Sequence, residues 1–273
     1  MDGGADGPVE PAAHSPLCPQ GGDGGARPPD RLAPDGDDTV GALRRLGPLP
    51  AAAGLGLGIA HVGEPRLRPA GPAEESAVAP MPARRRLEFL AGRHAARRAL
   101  RAVGLECGEI PRSGRLPVFP RGRAASISHS AGVAVAVARG PGEDAPLGCD
   151  LELRPLPYAA ARLVLGPDEE RLLGTAAGAR GGPWSLTGLF SAKEAAWKAL
   201  CLAAGQTVTA PTGTLRDLRA EPCGDALCIA PRTGPACAVR VRVLPVGAGV
   251  FSYALGWADA AGRSTPAPTA RRS

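Results

Sequence analysis

Apolar and polar residues follow two different rhythms along the middle of the chain, and these predict helices and strands. Between Arg84 and Val103 apolar side chains recur at a spacing near 3.6, which indicates a helix ended by Gly104. A second helical segment runs from Phe190 to Leu202. Shorter apolar or alternating runs predict strands at Leu55–Val62, Ala131–Ala138, Leu147–Leu153, Val239–Leu244 and Val250–Gly256. Because strands and helices mix without regular βαβ alternation, the pattern favours an α+β fold.

Both ends of the chain lack this patterning. Residues 1–40 are rich in Gly, Pro and Asp with few large apolar side chains, and residues 259–273 look the same. Such segments bury too little apolar surface to offset the entropy of ordering, so we predict disordered tails there. The structured part is then expected between residues 41 and 258.

Composition narrows the classes of function. The net charge of +6 suits an anionic partner, although a bias toward Arg in the coding sequence explains it equally well. Aromatic residues are only 3% of the chain, too few for a single-strand nucleic-acid binder, so the core is expected to use Ala, Leu and Val. The seven cysteines are irregularly spaced without a C-x-x-C pair, which favours free thiols over zinc or disulfides. With no apolar signal region and no apolar run of ~18 residues, we expect a cytoplasmic protein without membrane spans.

Two carboxylates stand out in the alternating strand that ends near Leu153. Successive side chains of a strand point to opposite faces, so Asp150 and Glu152 share one face while Cys149 and Leu151 share the buried one. Carboxylates at i and i+2 repel each other unless a cation lies between them, and hard oxygen ligands favour Mg²⁺. A solvated strand face with two acids is the alternative.

Other candidate residues are individually weaker. Glu194 and Lys198 are i, i+4 neighbours on the second helix, which also describes an ordinary surface ion pair. His129, flanked by hydroxyls in Ser126–Ser130, could bind phosphate or be structural. On the first helix the 3.6 spacing places Arg86, Arg93 and Arg97 on one face, suited either to phosphate or to solvent.

The order and combination of these segments resemble the Sfp-type 4′-phosphopantetheinyl transferases, in the branch of the enterobactin synthase D component. The resemblance covers roughly residues 46–258. Five blocks carry it: Arg85-Arg86-x-Glu88-Phe89-x-x-Gly92-Arg93, Pro117-x-Phe119-Pro120-x-Gly122, Ser126-Ile127-Ser128-His129, Gly148-x-Asp150-x-Glu152 and Phe190-Ser191-x-Lys193-Glu194-Ala195-x-x-Lys198.

The resemblance implies two similar α/β halves, 41–147 and 148–258, related by a pseudo-twofold with the active site between them. It implies transfer of the 4′-phosphopantetheine arm of coenzyme A to a serine of an apo carrier protein, with Mg²⁺ on the pyrophosphate and 3′,5′-ADP released. The metal ligands would be Asp150, Glu152 and Glu194, with Glu194 also activating the serine. Lys198 would contact the pyrophosphate and protonate the leaving group.

Besides Lys198, the residues that bind coenzyme A would be Arg85, Arg93, Arg115, Ser128, His129 and Asp150. The helical spacing prefers Arg86 to Arg85, so that choice stays open. Mg²⁺ against Mn²⁺ and the pathway served (siderophore, polyketide, nonribosomal peptide or fatty acid) also stay open. With both halves in one chain, a monomer is expected. The rival hypotheses are another Mg²⁺-dependent phosphotransfer on a nucleotide and a non-catalytic basic protein that binds nucleic acid or phosphate.

Overall fold

A computed structural model describes residues 36–140, 142, 145–174, 183–204, 213–233 and 237–258. Its first part contains helices α1 (Gly36–Leu46) and α2 (Pro48–Ala52), strand β1 (Leu55–His61), helices α3 (Pro72–Val78) and α4 (Ala83–Ala102), and strands β2 (Arg112–Ser113), β3 (Leu116–Pro117), β4 (Ala125–Ser130) and β5 (Val133–Arg139). Its second part contains strand β6 (Cys149–Glu152), helices α5 (Ala161–Val164) and α6 (Leu186–Ala204), and strands β7 (Leu218–Cys223), β8 (Ala226–Pro231), β9 (Ala238–Val246) and β10 (Gly249–Ala258). The mixture of helices and antiparallel strands is an α+β fold, as the sequence predicts.

Two main antiparallel sheets form the centre of the compact unit, Pro34–Ser273. The first has the strand order β1-β5-β4, and the second has the order β6-β10-β9-β8-β7. In each sheet the strand that comes first in the chain pairs with the strand that comes last, so the two sheets begin with the same connectivity. Strands β2 and β3 form a separate small hairpin.

The layers follow the alternation of side chains in the strands. Helix α4 covers one face of the first sheet with a core made mostly of alanines, and α6 covers one face of the second. The opposite faces of the two sheets pack on each other through a core that includes Val135, Leu151, Phe251 and Tyr253. The predicted buried face of Cys149, Leu151 and Leu153 is therefore confirmed.

Both long helices lie unusually close to the strand beneath them. A Cβ atom added to Gly58 of β1 would lie 1.9 Å from the carbonyl oxygen of Ala95 in α4. One added to Gly148, just before β6, would lie 2.0 Å from the carbonyl oxygen of Ala195 in α6. Only glycine fits at such a distance, so these two positions set how closely each helix approaches its sheet.

Most of the elements predicted from periodicity are present, and the differences lie at their ends. The helix predicted from Phe190 begins at Leu186 and reaches Ala204. The tail predicted for residues 1–40 extends too far, because α1 begins at Gly36 and Val40 is buried in the core between the sheets. The rest of that tail and the tail 259–273 lie outside the described residues. No helix in the described part of the chain is long and apolar enough to cross a membrane.

The two-residue turn between β4 and β5 contains a strained alanine. Ala131 has a φ of 48° and Gly132 a φ of 82°, and a left-handed residue other than glycine costs about 1–2 kcal/mol. We expect Ala131→Asn to raise the free energy of unfolding by about 1 kcal/mol, because Asn-Gly is the preferred sequence for this kind of turn. Urea unfolding measures the change. Gly132→Ala is the control of opposite sign, since its Cβ would lie 3.1 Å from Cγ2 of Val62, and equal stability of all three proteins would contradict the account.

Candidate active site

Asp150 lies at the junction of the two sheets and is only 3% exposed. Its Oδ1 atom accepts two hydrogen bonds, from Nζ of Lys198 at 2.7 Å and from Oγ of Ser128 at 2.9 Å. Lys198 also donates to the carbonyl oxygen of Cys149 at 3.1 Å. The second carboxylate oxygen, Oδ2, is buried and has no hydrogen-bond partner among the described residues. Strand β6, strand β4 and helix α6 thus meet at one carboxylate.

A row of serines on β4 positions the strand that carries Asp150. The hydroxyls of Ser126, Ser128 and Ser130 accept hydrogen bonds from the backbone N–H groups of residues 149, 151 and 153 at 3.0, 3.2 and 3.1 Å. These N–H groups lie on the free edge of β6, where no strand pairs with them in the sheet order. Ser128, which we expect to contact coenzyme A, is buried, and its hydroxyl contacts Asp150 and the backbone N–H of Leu151. Its role in binding coenzyme A stays a prediction.

The acidic side chains of Asp150, Glu152 and Glu194 lie close enough for their charges to affect pKa values within the group. Burial, and then the charges of Asp150 and Glu194, raise the pKa of Glu152 to about 7. Burial likewise raises the pKa of Glu194, with Lys198 opposing it and Asp150 adding to it. Burial alone would lower the pKa of Lys198, but the carboxylates of Asp150 and Glu194 outweigh it and raise the pKa to about 12, so the ammonium stays charged.

The predicted metal ligands are therefore near one another without forming a finished coordination shell. In the ranges that the structure describes, no three Asp, Glu, His or Cys side chains converge closely enough to hold an ion as they stand. Lys198 occupies one oxygen of Asp150, so its ion pair joins α6 to β6 rather than linking it to Glu194 at i, i+4. The set Asp150, Glu152 and Glu194 stays a prediction.

The raised pKa of Glu152 makes stability depend on pH. An acid whose pKa is higher in the folded than in the unfolded state destabilises the fold as pH rises through that interval. We expect the metal-free protein to lose thermal stability between about pH 5 and pH 7.5, and Glu152→Gln to flatten this loss. The lowered pKa of His129 acts in the opposite sense, so the difference between wild type and variant is the quantity to measure, by thermal melts across pH. Parallel pH profiles would contradict the assignment.

Arg85, not Arg86, reaches the neighbourhood of the cluster. Its Nη1 atom lies 3.0 Å from Nε2 of His129 and 3.3 Å from Oε2 of Glu88. Loss of water around the ring, followed by the charge of Arg85, lowers the pKa of His129, and the charge of Lys198 adds to this effect. Arg86 turns toward the carbonyl oxygens of residues 79 and 81 instead. The choice between Arg85 and Arg86 for coenzyme A stays open: Arg85 lies beside His129, whereas Arg86 contacts the loop that precedes the helix.

Arg93 and Arg115 are not brought to Asp150. Arg93 is buried, donates to the carbonyl oxygens of Ile110 at 2.9 Å and Pro111 at 3.4 Å, and lies 4.3 Å from the centre of the Phe89 ring. Burial lowers its pKa to about 10. Arg115 is exposed in the turn between β2 and β3. Roles for these two arginines in binding coenzyme A stay predictions.

Sequence reasoning overlooked a buried ion pair formed by Lys193, the residue before Glu194 in α6. Lys193 is fully buried, and its Nζ atom donates to Oε2 of Glu169 at 2.7 Å and to the carbonyl oxygens of residues 164, 215 and 218 at 2.8, 3.2 and 2.9 Å. Arg232 donates to the same carboxylate oxygen at 3.0 Å. One signal was present: among 32 Lys and Arg residues only Lys193 and Lys198 are lysines, and both lie in α6.

Comparison with known proteins agrees with the motifs. Residues 73–139 match the family model of the 4′-phosphopantetheinyl transferase N-terminal domain. Two curated relatives, both enterobactin synthase component D, come from Salmonella typhi and Salmonella typhimurium (strain LT2). Each is 38% identical over 121 residues, which cover 42% of this chain and 48% of the relative, so the chain spans about half the length of the curated relatives it matches. Together with the motifs on both sides of the cluster, these matches show that the chain is similar to the 4′-phosphopantetheinyl transferases.

Proposed function

We propose that this protein transfers the 4′-phosphopantetheine arm of coenzyme A to a serine of an apo carrier protein, releasing 3′,5′-ADP. One observation carries the proposal. Strand β6 and helix α6 hold a cluster of three acids and one lysine beside β4: Asp150, Glu152, Glu194 and Lys198. His129 of β4 and its neighbour Arg85 add basic groups next to this cluster. Carboxylates for a cation beside basic groups for phosphate are what transfer from a pyrophosphate requires.

The proposal includes two halves, 41–147 and 148–258, related by a pseudo-twofold. Matching contacts support it. Arg98 of α4 donates to the carbonyl oxygen of Ile59 in β1 at 2.5 Å, and Lys198 of α6 donates to that of Cys149 in β6 at 3.1 Å. In each half the residue before the accepting carbonyl is a glycine that packs against an alanine of the long helix, Gly58 against Ala95 and Gly148 against Ala195. The cation follows that alanine by three residues in both helices.

Each half also contains one buried glutamate in an equivalent network. Glu74 accepts hydrogen bonds from Arg97 of α4 at 2.6 Å and from the backbone N–H of Ile110 at 2.8 Å. Glu169 accepts them from Lys193 of α6 at 2.7 Å and from the backbone N–H of Ala220 at 2.7 Å. In both, the carboxylate joins the long helix to the chain that follows it, which supports a repeat of one structural unit.

The site suits a divalent cation. Asp150 Oδ2 is a buried carboxylate oxygen without a partner among the described residues, and a nearby cation would satisfy it. A cation would also offset the burial and the neighbouring carboxylate charges that raise the pKa values of Glu152 and Glu194. We assign Asp150, Glu152 and Glu194 as the ligands, all hard oxygen donors of the kind Mg²⁺ prefers. When bound, Mg²⁺ would supply charge neutralisation on the pyrophosphate.

The protein's own residues divide the remaining work. Glu194 takes the proton from the carrier serine, for which its raised pKa suits it as a base near neutral pH. The serine oxygen then bonds to phosphorus while the pyrophosphate P–O bond breaks and 3′,5′-ADP leaves. Lys198, held cationic beside Asp150, stabilises charge on the departing phosphate. Arg85 and His129 hold the 3′-phosphate end of coenzyme A, with Arg93 and Arg115 as further candidates.

The partner follows from charge and chemistry. Carrier proteins are typically acidic, and the net charge of +6 would steer their approach. None of the described cysteines forms a disulfide, which suits a reducing compartment, and we propose a cytoplasmic protein. Because both halves contribute to one site, we propose that a monomer is active.

Release of 3′,5′-ADP tests the function against its rivals. The protein, coenzyme A and Mg²⁺ are incubated with apo carrier domains of siderophore, polyketide, nonribosomal-peptide and fatty-acid type, or with no carrier. We expect release only when a carrier is present. Carrier-independent release would indicate hydrolysis of the pyrophosphate, and no release with steeply salt-dependent DNA binding would indicate a basic binding protein.

A further inference from the structure

Two serines near Asp150 have buried hydroxyls that nothing in the described chain satisfies. Ser252 of β10 and Ser191 of α6 are both 0% exposed, and neither Oγ atom has a hydrogen-bond partner among the described residues. Buried polar atoms are almost always partnered, and a buried hydroxyl without a partner is costly. Oδ2 of Asp150 shares this condition, and the hydroxyl of Tyr253, on the opposite face of β10, is a fourth such oxygen in the same half.

Strand register places Ser252 beside Asp150. The two residues are direct partners across the antiparallel β6–β10 pair. Side chains of directly opposed residues lie on the same face, with Cβ atoms about 4.5–5.5 Å apart. Both therefore point from the second sheet toward α6, the face on which the neighbouring Ala254 belongs to the core beneath that helix.

The course of α6 places Ser191 over the same strand. Near its start, a Cβ on Gly188 would lie 3.6 Å from Cγ1 of Val243 in β9. Two turns later the helix lies over Gly148, where Ala195 abuts the start of β6. Strand β10 lies between β9 and β6, so α6 crosses it around Ser191, which is one turn before Ala195 on the same helical face.

The first half of the chain provides an internal comparison. When the two halves are aligned on these matching contacts, Ala60 of β1 corresponds to Asp150 of β6. In the same alignment Ala91 of α4 corresponds to Ser191 of α6. The direct partner of Ala60 across β1–β5 is Ala134, which matches Ser252. All three alanines are buried at 0–1% exposure. The half without the carboxylate thus fills these places with methyl groups, and only the half with Asp150 keeps hydroxyls there.

We propose that Ser252 and Ser191 are positioning residues, which hold Asp150 Oδ2 in place through one shared buried water molecule. The proposal rests on the proposed function for its cation. A water molecule can donate to the carboxylate and accept from the hydroxyls, and buried waters typically make two to four such bonds. With Ser128 and Lys198 on Oδ1, the carboxylate is then fixed from both sides, and its remaining lone pair faces the cation.

Ser252→Ala, Ser191→Ala and the double variant test this role by a large effect on metal binding beside a small effect on stability. Mn²⁺ is titrated into each protein, with and without coenzyme A, and free Mn²⁺ is followed by electron paramagnetic resonance. We expect Ser252→Ala to bind Mn²⁺ about tenfold more weakly, as is usual for loss of an outer partner of a metal ligand. Its midpoint of urea unfolding without metal should fall only slightly, because the variant loses one hydrogen bond to the shared water. In the assay, half-maximal activation should move to higher Mg²⁺ while the KM for coenzyme A stays constant.

Ala134→Ser is the matched control, since it places a hydroxyl at the corresponding position of the half that has no carboxylate. It should lower the unfolding midpoint and leave Mn²⁺ binding unchanged. Mn²⁺ affinity of the double variant within twofold of wild type would overturn the proposal, even if transfer to a carrier occurs. If the wild-type protein modifies no carrier but the serine variants bind Mn²⁺ more weakly than it does, the positioning role is upheld and the proposed function is rejected. A wild-type protein that binds no Mn²⁺ under either condition would reject the cation site and this inference together.

Discussion

Asp150→Asn should lower kcat/KM for carrier modification by at least about 10³-fold, because it removes the charge that a cation and Lys198 both require. Asparagine keeps the shape of the side chain, and its amide oxygen can still accept from Ser128, which now lies 2.9 Å from Oδ1. The loss would therefore come from charge rather than from packing. Steady-state kinetics with a carrier domain and coenzyme A measure it, and thermal melts show whether the fold is retained.

A matched control is available at Glu106. This carboxylate is 75% exposed and pairs only with Arg101 on the surface, at 3.2 Å, so Glu106→Gln should leave kcat/KM unchanged. Asp150→Asn protein that is folded and retains more than about a tenth of the activity would reject Asp150 as an essential group.

Lys193→Met should destabilise the protein by about 3–5 kcal/mol, the usual cost of removing one partner from a buried ion pair. Methionine fills much of the same volume, but the carboxylate of Glu169 loses its 2.7 Å partner and the carbonyl oxygens of residues 164, 215 and 218 lose their donor. Burial lowers the pKa of Lys193, and the hydrogen bond and charge of Glu169 oppose this shift. Because the charged pair depends on this close contact, few other side chains can replace Lys193. Urea unfolding measures the free energy directly.

Two further variants separate charge from packing at this pair. Lys193→Met combined with Glu169→Gln should recover part of the lost stability, because no unpaired charge remains buried. Arg219→Met changes a half-exposed cation whose partners are Asp168 and Glu221, and it should cost less than about 1 kcal/mol. If Lys193→Met were as mild as Arg219→Met, the buried pair would not hold α6 in place.

Periodicity was sufficient to predict the helices and strands that pack through a simple apolar face. The alternation around Asp150 correctly placed Cys149 and Leu151 in the core and the acid on the other face. The apolar spacing of α4 correctly predicted a helix, and the expected core of Ala, Leu and Val is present. These features depend on the hydrophobic effect along one segment, so a single sequence contains the information for them.

Pairings between distant segments were not accessible in this way. Nothing in the spacing of Ser126–Ser130 shows that its hydroxyls bind the edge of β6, 23 residues away. The i, i+4 rule offered Glu194 as the partner of Lys198, whereas the tertiary fold supplies Asp150. Helical spacing favoured Arg86 over Arg85 because it ignores the loop packed against the first turn of α4.

Some evidence in the sequence was available but went unused. Arginine occupies almost every cationic position of this chain, so the two lysines mark places where a compact ammonium is needed. In the structure one binds three carbonyl oxygens and a carboxylate, and the other binds Asp150 at the proposed site. Rare residue types within a biased composition are thus informative about function.

Intact mass of an apo carrier domain, after incubation with this protein, coenzyme A and Mg²⁺, tests the central claim most directly. We predict that the carrier gains the mass of one phosphopantetheine group on its serine, and that both EDTA and the Asp150→Asn substitution abolish the gain. An unchanged mass on every class of carrier domain, with folded protein and metal present, would contradict the proposed function.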